Sequence, residues 1–190
     1  MSSGLSTAFI ASVESIEEVG LRYALVGGLA VGAWGVSRST RDVDLYVELP
    51  TGKRGALKRA LEARQFHVPA MEHELQQFGV FRSRSAEGVF VDVFDAVGPL
   101  GEALLSRRRE LHVFGRSIWV TTPEDLFVLK AFSDRTRDFE DLVSLAHVPG
   151  LSLDVAYVED WARQLDQSIG GNDVSERVRT ALARTKGKKR

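Results

Sequence analysis

From Asp42 to Leu49 the chain reads DVDLYVEL, a run that alternates polar and apolar residues until Pro50 ends it. A period of two marks a strand with one face toward a core. It places Asp42 and Asp44 on one face and Val43 and Leu45 on the other. Upstream, RYALVG is a short β-type run that passes through Gly27-Gly28 into GLAVGAWGV, which reads as a helix rich in small residues. Strand, glycine turn, helix and acidic strand thus follow one another without a linker.

The remaining segments extend this pattern. LSTAFIASVESIEEVG has helical spacing and stops at Gly20. TGKRGALKRALEAR reads as a surface helix with a basic outer face. FGVFRSR and GVFVDVFDA form a hairpin about the polar turn SAEG, and LHVFGRSIWV forms another that turns near Gly115. From Thr121 the chain is helical: TTPEDLFVLKAFSD with Pro123 just inside its start, RTRDFEDLVSLAH halted near Pro149-Gly150, then LSLDVAYVEDWARQLDQSIGG. Strands first and helices afterwards predict an α+β fold. Its mixed sheet occupies residues 1–120 and its helical section, with a basic tail, residues 121–190. No internal repeat is present.

Composition excludes several classes. The chain's 190 residues suffice for one sizeable core. It has no cysteine, which rules out disulfides and thiolate zinc sites. His67, His73, His112 and His147 are scattered without metal-ligand spacing. No apolar run approaches the roughly 20 residues of a membrane span, and the N-terminus lacks the basic start of a secretion signal. A cytoplasmic protein with no membrane partner is expected. The net charge of −1 conceals a basic end, RVRTALARTKGKKR, in which half the residues are Lys or Arg. That end is either a solvated terminus or a nucleic-acid-binding arm.

A strand entering a helix through Gly27-Gly28 brings its backbone close to a ligand, and the first N–H groups of the helix favour an anion. The same glycines also suit a tight turn that binds nothing. Neither a dinucleotide fingerprint nor a P-loop is present. Asp42 and Asp44 repel each other unless a cation lies between them, and Mg²⁺ is the hard ion that suits oxygen ligands; otherwise they are two solvated acids at a strand edge. An EF-hand is excluded by its missing glycine and glutamate. Asp92 interrupts an apolar strand, where an unpaired carboxylate is costly. A strand beside Asp42 and Asp44 brings all three acids together, and three carboxylates can hold two Mg²⁺ ions about 3.5–4 Å apart for in-line displacement at phosphorus. Asp95, facing the other way, reads as a solvated turn acid.

Gly-Gly, a short helix, R-S-T-R-D-V-D-L from Arg38 to Leu45, and a later V-D-V strand together resemble the nucleotidyltransferase superfamily with the polymerase-β-like catalytic core. The phrase R-x-T-x-D-x-D-L resembles the branch containing abortive-infection-type toxins. PEDLFVLKAFSDRTRDFEDL resembles that branch's second motif, with Lys130 ahead of Arg137-Asp138-Phe139-Glu140-Asp141-Leu142. The likeness spans Tyr23 to Leu145, and departs where many members carry Gly-Ser in place of Gly27-Gly28. It implies an NTP bound by Gly27, Gly28, Arg38, Thr40, Lys130 and Asp138, and Mg²⁺, in a two-ion site, on Asp42, Asp44 and Asp92. The catalytic set is Asp42, Asp44, Asp92 and Lys130. The implied acceptor is RNA, at a tRNA 3′ end, and the implied partner a cognate antitoxin. Two alternatives stay open: a small-molecule nucleotidyltransferase acting on an aminoglycoside- or lincosamide-like hydroxyl, and a non-catalytic nucleotide- or RNA-binding regulator.

Read as residues alone, Lys130 either faces a triphosphate or snorkels to solvent. Asp138 and Asp141, three apart on a helix, share a face and either tether Lys130 or Arg137 or form surface ion pairs. Trp119, Phe127, Phe132 and Phe139 are expected in the core. An RNA acceptor would draw on Arg38, Arg41, the Lys53-Arg54-Lys58-Arg59 helix face, Arg107-Arg108-Arg109 and the basic end.

Overall fold

The computed structural model describes residues 3–133, 135–171 and 173–186, and these form two compact units. The first runs up to Ala30 and resumes over Arg38–Thr121; the second takes Val31–Ser37 and the chain from Thr122 onward.

The first unit carries α1 (Ser3–Glu18), β1 (Tyr23–Val26), the start of α2 (Gly27–Ala33), β2 (Val43–Val47), α3 (Thr51–Ala63), α4 (Met71–Phe78), β3 (Val80–Arg84), β4 (Phe90–Asp95), α5 (Gly98–Arg107), β5 (Arg109–Val113) and β6 (Arg116–Val120). Its strands form one sheet in the order β3-β4-β2-β1-β6-β5. The two predicted hairpins, β3/β4 and β5/β6, are antiparallel, as is β1/β2, whereas β2/β4 and β1/β6 are parallel. The sheet is mixed and the fold α+β, as the sequence order implied.

The period-two pattern has the expected result. Val43, Leu45 and Val47 of β2 and Val91 and Val93 of β4 are fully buried, while Asp44 and Asp92 lie on the opposite, half-exposed face. Helix α1 buries Phe9, Val13 and Ile16, and α3 buries Leu57, Ala60 and Leu61 against it. Lys53 donates to the carbonyls of Val19 at 3.1 Å and Gly20 at 3.0 Å, satisfying acceptors that the end of α1 leaves open.

Two helices were not expected. Helix α4 buries only Met71 and Leu75 of its eight residues, and α5 buries Gly101, Leu104 and Leu105. Asp95 is also not a solvated acid. Its carboxylate accepts from the Leu49 backbone N–H at 3.3 Å and from Arg54 Nη2 at 3.2 Å, and the Asp95 side chain is 10% exposed. These contacts fasten the end of β4 to the segment that follows β2. Trp119 departs from the core expectation, because β6 buries Ile118 and Val120 and turns Trp119 outward beneath the Arg108 guanidinium, 4.6 Å from its ring.

The second unit contains α6 (Pro123–Phe132), α7 (Thr136–Leu145), α8 (Val155–Ile169) and α9 (Asp173–Lys186). Thr122 and Asp125 form a reciprocal cap at the start of α6: the Asp125 N–H donates to Thr122 Oγ1, and the Thr122 hydroxyl donates to Asp125 Oδ2 at 2.6 Å. Tyr157 of α8 donates to the other Asp125 oxygen at 2.5 Å. Asp166 accepts from the N–H groups of Val174 (2.9 Å) and Ser175 (3.0 Å), fixing the first turn of α9. Arg177 closes the far end of α6 through the Ala131 and Ser133 carbonyls. Phe127 is fully buried as expected, but Phe132 at the end of α6 is 50% exposed and Phe139 is half-buried under Arg184. The last four residues of the basic end, 187–190, lie outside the described residues. No helix among the described residues is long and apolar enough to cross a membrane.

Candidate active site

In the first unit the site is built where β1 ends. Val26 lies opposite Asp44 in the β1/β2 ladder, and the next residue, Gly27, has a φ of +64°. A β-carbon on Gly27 would stand 1.9 Å from Asp44 Oδ2 and 2.6 Å from Asp44 Cγ. Glycine is therefore required twice over, by the left-handed backbone and by the carboxylate pressed against it. A β-carbon on Gly28 would stand 3.0 Å from both Arg38 Nε and Thr40 Oγ1. The glycine turn, Arg38, Thr40 and Asp44 thus occupy one neighbourhood, and Thr40 Oγ1 donates a long bond (3.4 Å) to the Asp42 carbonyl. Asp42 precedes β2 and is exposed.

Asp92 stands beside Asp44. The parallel β2/β4 register pairs these two residues directly, and Tyr46 with Phe94 two positions on. The Tyr46 and Phe94 rings stack with centroids 5.3 Å apart, giving that face of the sheet an aromatic continuation. On the other side of Asp92, across the β3/β4 hairpin, lies Arg82. Its Nε and Nη2 donate to the two Asp92 oxygens, each at 2.7 Å, in a bidentate pair. These hydrogen bonds, with the fields of Asp92, Asp42 and Asp44, raise the Arg82 pKa despite a lowering by partial burial. No motif in the sequence marks Arg82. A signal was nonetheless present, because a hairpin closed by SAEG sets the middle of FGVFRSR against the middle of GVFVDVF. Among the described residues, no three carboxylate or imidazole side chains are grouped closely enough to hold one metal ion together.

In the second unit Lys130 is 7% exposed, so it does not snorkel. Its ammonium bonds Asp138 and lies 2.9 Å from Asp141 Oδ2, and both carboxylates are buried. Asp138 also accepts from the Ser133 hydroxyl and from Arg135 Nε, each at 2.6 Å. Burial works to raise the Asp138 pKa, but the bonds from Lys130, Ser133 and Arg135 prevail and hold it below the usual carboxylate value. One lysine on α6 therefore ties down two aspartates on α7.

Several cations that an RNA acceptor would draw on are engaged within the fold. Besides Lys53, Arg54 pairs with Glu72 at 3.3 Å as well as with Asp95. Arg108 stacks on Trp119 and bonds the Leu105 carbonyl. Lys58 lies 3.8 Å from Glu62, while Arg41, Arg59 and Arg109 are exposed.

Comparison with known proteins follows the same lines. The model of a family described as "Nucleotidyl transferase of unknown function (DUF2204)" matches residues 5–179. No curated protein matches the sequence significantly. Among solved structures, the antibiotic-resistance factor ANT(2'')-Ia is 19% identical, with a TM-score of 0.54 over 98% of this chain and 94% of that one. The lincosamide antibiotic adenylyltransferase LnuA, in its lincomycin-bound form, is 15% identical, with a TM-score of 0.55 over 74% and 96%. JHP933 from Helicobacter pylori is 13% identical, with a TM-score of 0.51 over 97% and 93%. At such identities the structural likeness is one of fold.

Proposed function

The chain belongs to that nucleotidyl transferase family and is a nucleotidyltransferase, and from this premise we propose that it transfers a nucleoside monophosphate from an NTP to a hydroxyl of a small polar acceptor. The observation that carries the reading is the pairing of Asp44 with Asp92 on adjacent parallel strands, directly beside the Gly27-Gly28 turn. The turn's backbone N–H groups receive the phosphates, with Arg38 and Thr40 alongside to bind and orient them. The acceptor oxygen attacks the α-phosphorus in line; its new P–O bond forms as the bond to the β-phosphate oxygen breaks, and pyrophosphate leaves. Asp92, on the acceptor side, accepts the hydroxyl proton. Most of the acceleration comes from holding these groups in line.

The donor set suits Mg²⁺. Asp44 and Asp92 are oxygen donors side by side on one face, with Asp42 exposed just ahead of β2. A cation, the Arg82 guanidinium, is already accommodated at Asp92. When bound there, the metal would neutralise charge on the phosphates. Lys130, buried between two aspartates, we assign to organising α6 and α7.

A small acceptor is favoured because Lys53, Arg54 and Arg108, three of the cations an RNA would need, are committed to contacts inside the fold. The names of the antibiotic-modifying neighbours support the same class. An RNA acceptor with a cognate antitoxin, as the abortive-infection-type motifs imply, is the second reading, supported by the match of Arg38 to Leu45 and by the exposed Arg41, Arg59 and Arg109. The test is incubation with each α-³²P-labelled NTP and Mg²⁺, in parallel with an aminoglycoside and lincosamide panel and with total RNA. Label on a small molecule supports the proposal. Label on RNA alone replaces the acceptor, and no label anywhere with a folded protein overturns the reaction.

A further inference from the structure

Three adjacent strands place Arg82, Asp92 and Asp44 in a row on one face of the sheet, each the register partner of the next. Asp92, in the middle, has a carboxylate neighbour on one side and a guanidinium on the other. Both of its oxygens are taken by Arg82 at 2.7 Å. An oxygen that accepts from a bidentate arginine has its best lone pairs directed away from Asp44, so Arg82 and an ion seated between Asp44 and Asp92 make competing demands on the same carboxylate.

The two partners differ in freedom. The Asp92 side chain is 14% exposed and fixed in the middle of β4, whereas the Arg82 side chain is 55% exposed on the edge strand. Arg82 also has a second resting place. Its guanidinium lies 5.0 Å from the centre of the exposed Phe90 ring, which Arg84 also overhangs at 5.8 Å. A cation that leaves Asp92 can therefore remain over an aromatic face.

We propose that Arg82 is a built-in competitor of the divalent cation: it neutralises Asp92 while the metal is absent and must release it for the ion to bind beside Asp44. The role rests on the metal-dependent reading above and adds a regulating residue to it. Arg82 is a positioning residue, acting through Asp92, and it sets the metal concentration at which the site assembles. Without it, Asp92 would lose the guanidinium that both of its oxygens bond and would stand directly opposite the Asp44 carboxylate, a like-charge pairing on neighbouring strands that is destabilising. With it, the site is held folded at the cost of weaker metal binding.

The test measures metal binding directly, by the loss of the free Mn²⁺ electron paramagnetic resonance signal, on the 190-residue parent chain and on Arg82→Gln, Arg82→Lys, Arg84→Gln and Asp44→Asn, each checked for folding by circular dichroism. Arg82→Gln should bind Mn²⁺ about tenfold more tightly than the parent, the scale of a charge-assisted pair removed from competition. Arg82→Lys, which keeps the charge but loses the fork, should fall between them. Arg84→Gln removes an equal charge from the neighbouring position without touching Asp92 and should bind like the parent, while Asp44→Asn should lose the site. If Arg82→Gln binds no more tightly than the parent while Asp44→Asn still abolishes binding, the competition is disproved and the metal reading stands. The competition is equally disproved if Arg84→Gln tightens binding as much as Arg82→Gln, because a general field would then be responsible. If neither the parent nor Arg82→Gln binds Mn²⁺, or Asp44→Asn binds as the parent does, the metal reading falls and the competition with it.

Discussion

Gly27 and Asp44 are in contact across the β1/β2 pair so closely that a single added carbon on Gly27 would lie 1.9 Å from the Asp44 carboxylate. The turn and the acid therefore hold one another in place.

Replacing Gly27 by Ala combines a left-handed φ of +64° with a collision against Asp44. The expected loss is about 1–3 kcal/mol of stability from backbone strain, with further loss from the clash. Nucleotide transfer should fall more than stability does, because Asp44 is displaced. Urea unfolding and an initial-rate assay on the same preparation separate the two effects. A variant of parental stability and parental rate would show that the contact carries neither role.

Asp44→Asn keeps the shape of the side chain and removes its charge. Transfer should drop by at least about a hundredfold, the scale of losing one electrostatic contribution to the transition state. Melting should change little, since Asp44 is half-exposed. Retained transfer in this variant would remove Asp44 from the chemistry.

The helical unit depends on Lys130. Truncation to Met leaves Asp138 and Asp141 buried with one cation fewer, which should cost about 3–5 kcal/mol. Replacing both acids as well, in Lys130→Met with Asp138→Asn and Asp141→Asn, should recover a large part of that loss. Chemical denaturation of the three proteins reads the coupling; a Lys130→Met variant as stable as the parent would mean that the buried tie contributes nothing.

Acid should expose the same cluster. The Asp138 pKa is lowered in the folded state, so its contribution is present above the unfolded carboxylate value of about 3.9 and is lost as pH falls through the lower folded value. Unfolding free energy measured from pH 6 downward should therefore decline below about pH 4, and less steeply in Asp138→Asn. Equal slopes would show that Asp138 is not a source of the acid sensitivity.

Much of the first unit was legible because period-two strands and glycine stops are local signals. The alternation in DVDLYVEL and GVFVDVF fixed which residues are buried, and the SAEG and Gly115 turns fixed the hairpins. Helix α4 escaped because, although Met71, Leu75 and Phe78 keep helical spacing, its eight residues are too few for that spacing to stand out. Asp95 reads as a turn acid in sequence because its partners, Arg54 and the Leu49 N–H, come from a segment distant along the chain. The second unit includes Val31–Ser37, a crossing that no division in chain order contains. Lys130 and its aspartates could be recognised as a motif, but their enclosure depends on how α6 and α7 pack, and burial of a charge is a tertiary property.

The parallel register of β2 and β4 joins segments separated by α3, α4 and β3, whereas β3/β4 and β5/β6 close between neighbours in the chain. Local hairpins form early in folding, and non-local pairs wait for the larger entropic cost of bringing their ends together. We predict that far-UV circular dichroism recovers before transfer activity during refolding, and simultaneous recovery would disprove this. The two acids that define the site meet only in a non-local contact of the sheet, so a newly made chain passes through a period in which it has its hairpins and lacks its chemistry.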